Sequence, residues 1–181
     1  MAHKVKSLIE DKHLKTNIHQ IKCEQCSECP LHVYSNDNDV VIFGVGNIFA
    51  DTILVLPSYD TKAKVNYTTM LSIVEEAYYQ IEHKDIYEEC YVTRTIKCYD
   101  KSNYNLMQDA IKHCKEFLYY EVIKLKPRRI IIFDSKFDTT ELEMNVFARI
   151  VHVISPGVMY YDNDKLKQTF MKQFKEALYD T

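Results

Sequence analysis

Cys90-Tyr91-Val92-Thr93-Arg94-Thr95-Ile96-Lys97-Cys98 is the stretch on which the fold turns. Its first seven residues are rich in β-branched and aromatic side chains, as a strand buried on both faces requires. The stretch then delivers a cysteine, Cys98, just past the strand's carboxyl end. In open parallel sheets, ligand sites form beyond those ends. Cys90, inside the run, reads as a core thiol.

Three more runs share this character: Thr52-Ile53-Leu54-Val55-Leu56-Pro57, Arg129-Ile130-Ile131-Ile132-Phe133 and Ile150-Val151-His152-Val153-Ile154. Val40 to Asn47 is a shorter β-like run ending in glycines. Helical periodicity lies between the runs. One stripe is Met70, Leu71, Val74, Ala77, Tyr78 and Ile81. A longer one is Leu106, Ala110, Ile111, Cys114, Phe117, Leu118, Val122 and Leu125, closed by Pro127, and a last one runs from Leu166 to Leu178. Val5, Leu8, Ile9, Leu14, Ile18 and Ile21 predict an amphipathic N-terminal helix over residues 1–22. Strands separated by helices give an α/β fold with a central, mostly parallel, four-stranded sheet. The expected strand ends are Pro57-Ser58, Arg94-Thr95, Asp134-Ser135 and Ser155-Pro156-Gly157.

At 181 residues and 46% apolar, the chain is expected to form one domain, residues 1–181, with a substantial core. Its net charge of −3 gives no global field for nucleic acid, though a local basic groove is compatible with it. No apolar run approaches the ~18 residues of a membrane span, and the N-terminus lacks the apolar core of a secretory signal. A cytoplasmic, reducing location follows as an expectation, and there the six cysteines favour metal over disulfides. Abundant Lys, Asn, Ile, Tyr and Asp point to an AT-rich genome such as a phage's, acting in the host cytoplasm. Gly44-x-Gly46 lacks the third glycine and the helix of a dinucleotide site and reads as a tight loop.

Cys26 and Cys29 stand two residues apart in a polar turn, residues 23–31. With Cys98 and Cys114 they make four thiols, the ligand count of a tetrahedral zinc or an iron–sulfur cluster. Cys23 and Cys26 form a rival early pair. Zinc ribbons use two close pairs, whereas Cys98 and Cys114 have 15 residues between them.

The order of these features resembles a known family. Cys26-x-x-Cys29-Pro30-Leu31 is followed by Val41-Ile42-Phe43-Gly44-Val45-Gly46-Asn47 and Ala50-Asp51. Then come the strand ending in Pro57, Thr93-Arg94-Thr95-Ile96-Lys97-Cys98, Cys114 before Lys126-Pro127, and Ser155-Pro156. The pattern is similar to the iron–sulfur-containing family 4 of the uracil-DNA glycosylase superfamily, from about Cys26 to Leu178. The resemblance implies a three-layer α/β/α sandwich and a [4Fe–4S] cluster on Cys26, Cys29, Cys98 and Cys114, with zinc as the alternative. It also implies that Ser58, Tyr67, Arg94, Ser155 and Gly157 stand at the nucleic-acid-binding positions.

The family's chemistry does not carry over with its cysteines. Val55 stands where the family has a carboxylate that handles water. Arg94 replaces the Asn that reads the uracil edge, and a guanidinium is donor-only. Ser155 replaces the His that donates to the leaving base. Such groups each supply rate factors of about 10² or more. The expectation is therefore an inactive homologue acting as a DNA- or protein-binding accessory factor in replication, repair or transcription, with a protein partner and DNA as ligands. The alternative is a divergent glycosylase on another damaged or modified base, and a third reading is redox sensing through the cluster. Arg94 fits either a phosphate contact or an ion pair with Asp60 or Asp134. Lys124, Lys126, Arg128 and Arg129 read as a solvated basic helix end, and His152 as a hydrogen-bonded structural residue. Tyr119-Tyr120 and Tyr160-Tyr161 fit either base stacking or a protein interface.

Overall fold

The computed structural model describes residues 20–22, 29–31, 40–98 and 107–179. At its centre is β4, Thr52–Leu56, buried at all five positions. It pairs in parallel with β7 (Cys90–Arg94) on one side and β8 (Arg129–Ile132) on the other. β8 pairs in parallel with β9, Arg149–His152. The fifth strand, β3 (Val45–Gly46), runs antiparallel along the outer edge of β7. The sheet order is β3-β7-β4-β8-β9.

The strand count corrects the expected four, for a local reason. The run from Val40 to Asn47 divides at its glycines. β2 (Val40–Ile42) pairs with β1 (Gln20–Lys22) in a separate antiparallel ribbon. Gly46 then turns with φ +108, a conformation that side chains resist, and lies against the Cys90 carbonyl, where a Cβ would stand 2.4 Å away. Gln20–Lys22 is strand, not the end of an N-terminal helix; the rest of that helix lies outside the described residues.

Side-chain alternation along the strands sorts the core into two layers. Leu54, Leu56, Val92, Ile131 and Phe133 face α1 (Tyr67–Glu82) and α5 (Asp164–Tyr179). Ile53, Val55, Tyr91, Ile130 and Ile132 face α3 (Met107–Leu125) and α4 (Thr140–Asn145). α2, Ile86–Glu89, leads into β7. Helices thus cover both faces of a mixed α/β, mostly parallel sheet, an arrangement compatible with three α/β/α layers. Phe133, Phe170 and Phe174 interlock on the first face, Phe133 and Phe174 edge to face at 5.0 Å. Each fully buried ring of this kind stabilises by about 1.5–3 kcal/mol.

α1 begins where the Asn66 side chain accepts from the Thr69 amide at 3.0 Å, and ends at His83 in the left-handed conformation, φ 56. From β4 the chain passes by α1 to β7, crosses back by α3 to β8, and continues by α4 to β9. The strand order therefore reverses beside β4. Such a reversal places a crevice at the carboxyl ends of β4 and β8. No described helix is long and apolar enough to cross a membrane.

Candidate functional site

Past β7 the backbone turns inward. Thr95, Ile96 and Lys97 are all buried. Ile96 packs with Cys29, Leu31, Ala110 and Cys114, and Cys98 lies against the same group. Ala110 and Cys114 are four residues apart on one face of α3, so both meet the turn. The Lys97 amide donates to Cys114 Sγ at 3.5 Å. Burial first, then the neighbouring Cys98 and Cys29, push the Cys114 thiol up to about 12, against the pull of the Lys97 amide. The fold therefore gathers three of the four expected ligands, Cys29, Cys98 and Cys114; Cys26 and its rival Cys23 lie outside the described residues.

The donor chemistry fits a thiolate-held group. The set holds soft sulfur ligands only, and a backbone N–H already points at one of them. All three thiols are free of disulfides. Among the described residues no three His, Cys, Asp or Glu side chains stand close enough to hold a single ion. A bound metal would reverse the state of Cys114, since a coordinating thiol is deprotonated outright.

Beneath the cysteines is a buried ionic network. Lys97 and Glu121 form an ion pair with side chains 1% and 3% exposed. Lys97 Nζ also donates to Thr93 Oγ1, which donates to Glu121 Oε2 at 2.9 Å. Glu121 Oε1 accepts from the Tyr91 hydroxyl at 2.9 Å and from the Gly44 amide at 2.6 Å. Burial holds the Lys97 ammonium below its ordinary value, with Glu121 opposing that shift. Burial and Glu121 together raise the Tyr91 phenol. The network ties the Gly44 loop, β7, α3 and the cysteine turn to one carboxylate. The sequence reading passed over Glu121. Its signal was a single acid seven residues after Cys114, in register with the apolar stripe of α3.

The strand ends hold the remaining predicted residues. Val55 is wholly buried in the layer facing α3. Arg94, 8% exposed, lies with its guanidinium 4.9 Å from the centre of the Tyr67 ring. Burial pushes the Tyr67 phenol up to about 12, although Arg94 pulls it down. Ser58 Oγ donates to the Ile96 carbonyl at 3.3 Å and accepts from the Ile96 amide at 3.2 Å, stitching β4's exit to β7's.

Ser155 Oγ donates to Asp60 Oδ2 at 2.5 Å and accepts from the Gly157 amide at 3.2 Å. The other oxygen of Asp60 accepts from the Lys62 and Ala63 amides, both at 2.9 Å. Gly157 fits against this carboxylate so closely that a Cβ would meet it at 2.4 Å. Asp134 Oδ1 accepts from the Lys136 amide at 2.9 Å. His152 is exposed, with Nδ1 2.7 Å from the Asp134 carbonyl oxygen. Ser58, Tyr67, Arg94, Ser155 and Gly157 thus do assemble at the carboxyl end of the sheet, and each is buried or half-buried. A shallow depression of about 610 Å³ lies at the other end of β7, lined by Val45, Gly46, Asn47, Tyr87 and Glu88.

No protein-family model matches the chain, and no curated protein matches it significantly.

Proposed function

We propose that this chain is an iron–sulfur protein of the uracil-DNA glycosylase type that does not excise uracil. In this reading it serves as a DNA- or protein-binding accessory factor in replication, repair or transcription, in a phage or a similar genome. The observation that carries the proposal is a contrast. Cys29 and Cys114 are buried together with the half-buried Cys98 packed against their cluster, while the positions for base excision are packed shut or engaged.

The chemistry follows from the side chains. Excision needs a group that places water, groups that read the base edge and a donor for the departing base. Val55 can neither orient water nor carry charge. Arg94 lies over Tyr67 and offers donors alone. Ser155 Oγ already donates to Asp60. Cys26, Cys29, Cys98 and Cys114 would hold a [4Fe–4S] cluster, which would cross-link the N-terminal turn to β7 and α3.

A divergent glycosylase is the second reading. It is favoured by Arg94 and Tyr67, stacked at a strand end beside Ser58, where a flipped base would arrive. Duplex and single-stranded DNA carrying uracil, hypoxanthine or xanthine separates the two, read as alkali-labile sites after incubation. The accessory reading expects no product on any of these. Robust cleavage that vanishes in Arg94→Ala would replace it with the glycosylase.

A further inference from the structure

The two most exposed phenylalanines of the described residues are Phe49, 87% exposed, and Phe147, fully exposed. Both precede strands, so both stand at the amino edge of the sheet, opposite the strand ends considered above. The backbone fixes their relation. The Arg128 amide donates to the Asp51 carbonyl at 2.8 Å, and the Arg149 amide to the Arg128 carbonyl at 2.8 Å. The leading segments of β4, β8 and β9 therefore lie side by side, about 4.8 Å apart. They read Phe49-Ala50-Asp51, Lys126-Pro127-Arg128 and Phe147-Ala148-Arg149. A basic segment is bracketed by an aromatic on each side.

We infer that this amino edge is a binding surface for single-stranded nucleic acid, with Phe49 and Phe147 stacking on bases and Lys126, Arg128 and Arg149 meeting phosphates. The charge pattern ahead of β8 and β9 favours a polyanion; the acids Asp85, Glu88 and Glu89 of the same edge lie before β7, on the far side of β4. These nine residues hold three cations and one acid, in a chain whose net charge is −3. The acid, Asp51, pairs with Arg128 at 3.5 Å, with both side chains at least 70% exposed. An exposed pair of this kind is weak, so a phosphate can take the carboxylate's place. The aromatic pattern favours bases. A protein hot spot needs a contiguous apolar centre, whereas these two rings stand apart with cations between them, the alternation found in single-strand binding surfaces.

The inference deepens the accessory reading and rests on it for the premise that surface, not pocket, carries function. The test is fluorescence anisotropy of labelled oligothymidylate, longer than the roughly 4–16 nucleotides such a surface covers, titrated with the full chain at several salt concentrations. Phe49→Ala and Phe147→Ala should each weaken binding about 5- to 100-fold. Lys126→Ala with Arg128→Ala should lower the slope of log affinity against log salt by about 1.4. All of the amino-edge changes are at exposed positions, and circular dichroism checks that the fold persists. No binding at low salt, or binding that these variants leave unchanged, overturns the inference. Loss confined to Arg94→Ala moves the site to the strand ends and overturns it too. Equal displacement by polyglutamate would make the face a dock for an acidic protein segment instead. Iron content and DNA cleavage measured on the same preparation report separately on the accessory reading.

Discussion

Glu121 is the residue on which the region beneath the cysteines depends. Its two oxygens take hydrogen bonds from Gly44, Tyr91, Thr93 and Lys97. Removing Lys97 leaves that carboxylate buried without its cation, a loss that typically costs about 3–5 kcal/mol. Lys97→Met should therefore lower stability by that amount in urea unfolding. Adding Glu121→Gln should recover more than about 1 kcal/mol, because the neutral amide still accepts from Gly44 and Tyr91. Strictly additive losses would show that the two do not act as a pair.

In the proposed reading, Val55 illustrates why the pocket cannot be repaired by one change. Its side chain is fully buried, and it sits opposite Thr93, itself bonded to Glu121. Val55→Glu would place a second carboxylate in that apolar layer beside the first. The expected outcome is a loss of more than about 4 kcal/mol and no DNA cleavage. A stable, cleaving variant would contradict this packing account.

Tyr67 carries the pH dependence of the strand ends. Its phenol is held at about 12 in the fold, against 10.0 unfolded. A raised acid binds its proton more tightly when folded, so its contribution is complete below about pH 10 and is lost as pH rises through about 12. The share is about 2.7 kcal/mol, at about 1.36 kcal/mol for each of the two pH units between 10.0 and about 12. Tyr67→Phe should therefore narrow the fall in urea midpoint between pH 9 and the alkaline limit, and an unchanged fall would remove Tyr67 from that role.

At the scale of elements, what was legible follows from length and environment. β4, β7 and β8 were readable because strands buried on both faces must be continuously apolar; β9, an edge strand with exposed ends, was readable from its β-branched run Ile150-Val151 and the apolar Val153-Ile154 beyond it. α1, α3 and α5 were readable because each shows a one-sided stripe over four or more turns. β3 has two residues, and the β5 (Tyr59–Asp60) and β6 (Val65–Asn66) hairpin has two on each side. Runs that short hold no periodicity, and tertiary pairing alone defines them. Gln20–Lys22 shows the same limit, since Ile21 fits a helical stripe as well as a strand.

The passage from β3 to β4 depends on a single backbone angle. Gly46 at φ +108 lets β3 reach the edge of β7 with its Cα against the Cys90 carbonyl. Gly46→Ala should cost about 2 kcal/mol or more and free the Asn47 amide from Cys90. Faster hydrogen exchange at Asn47, with β4 still protected, is the expected signature; uniform protection would contradict it.

Across the whole molecule, the sheet reversal beside β4 produces both features of interest. It sends β7's exit toward α3, where Cys98 meets Cys114, and it opens the strand ends that Arg94, Tyr67, Ser155 and Asp60 now fill. That Cys29, Cys98 and Cys114 come together was legible from their spacing and their place just past β7 and on α3. The closure of the strand ends was legible only as missing groups; the contacts that fill them, Ser155 to Asp60 and Arg94 over Tyr67, join residues far apart in sequence. Of the proposed amino-edge surface the sequence showed only the basic cluster of Lys126 and Arg128, since exposed phenylalanines resemble core ones until the fold places them.

In the proposed reading the cysteines gathered beside β7 hold a cluster. Iron and acid-labile sulfide should be counted in the anaerobically purified chain and in Cys114→Ser. The wild type should be brown, with about four irons per chain that Cys114→Ser loses; a colourless wild type with one zinc, or a Cys114→Ser protein with unchanged metal, would refute the cluster.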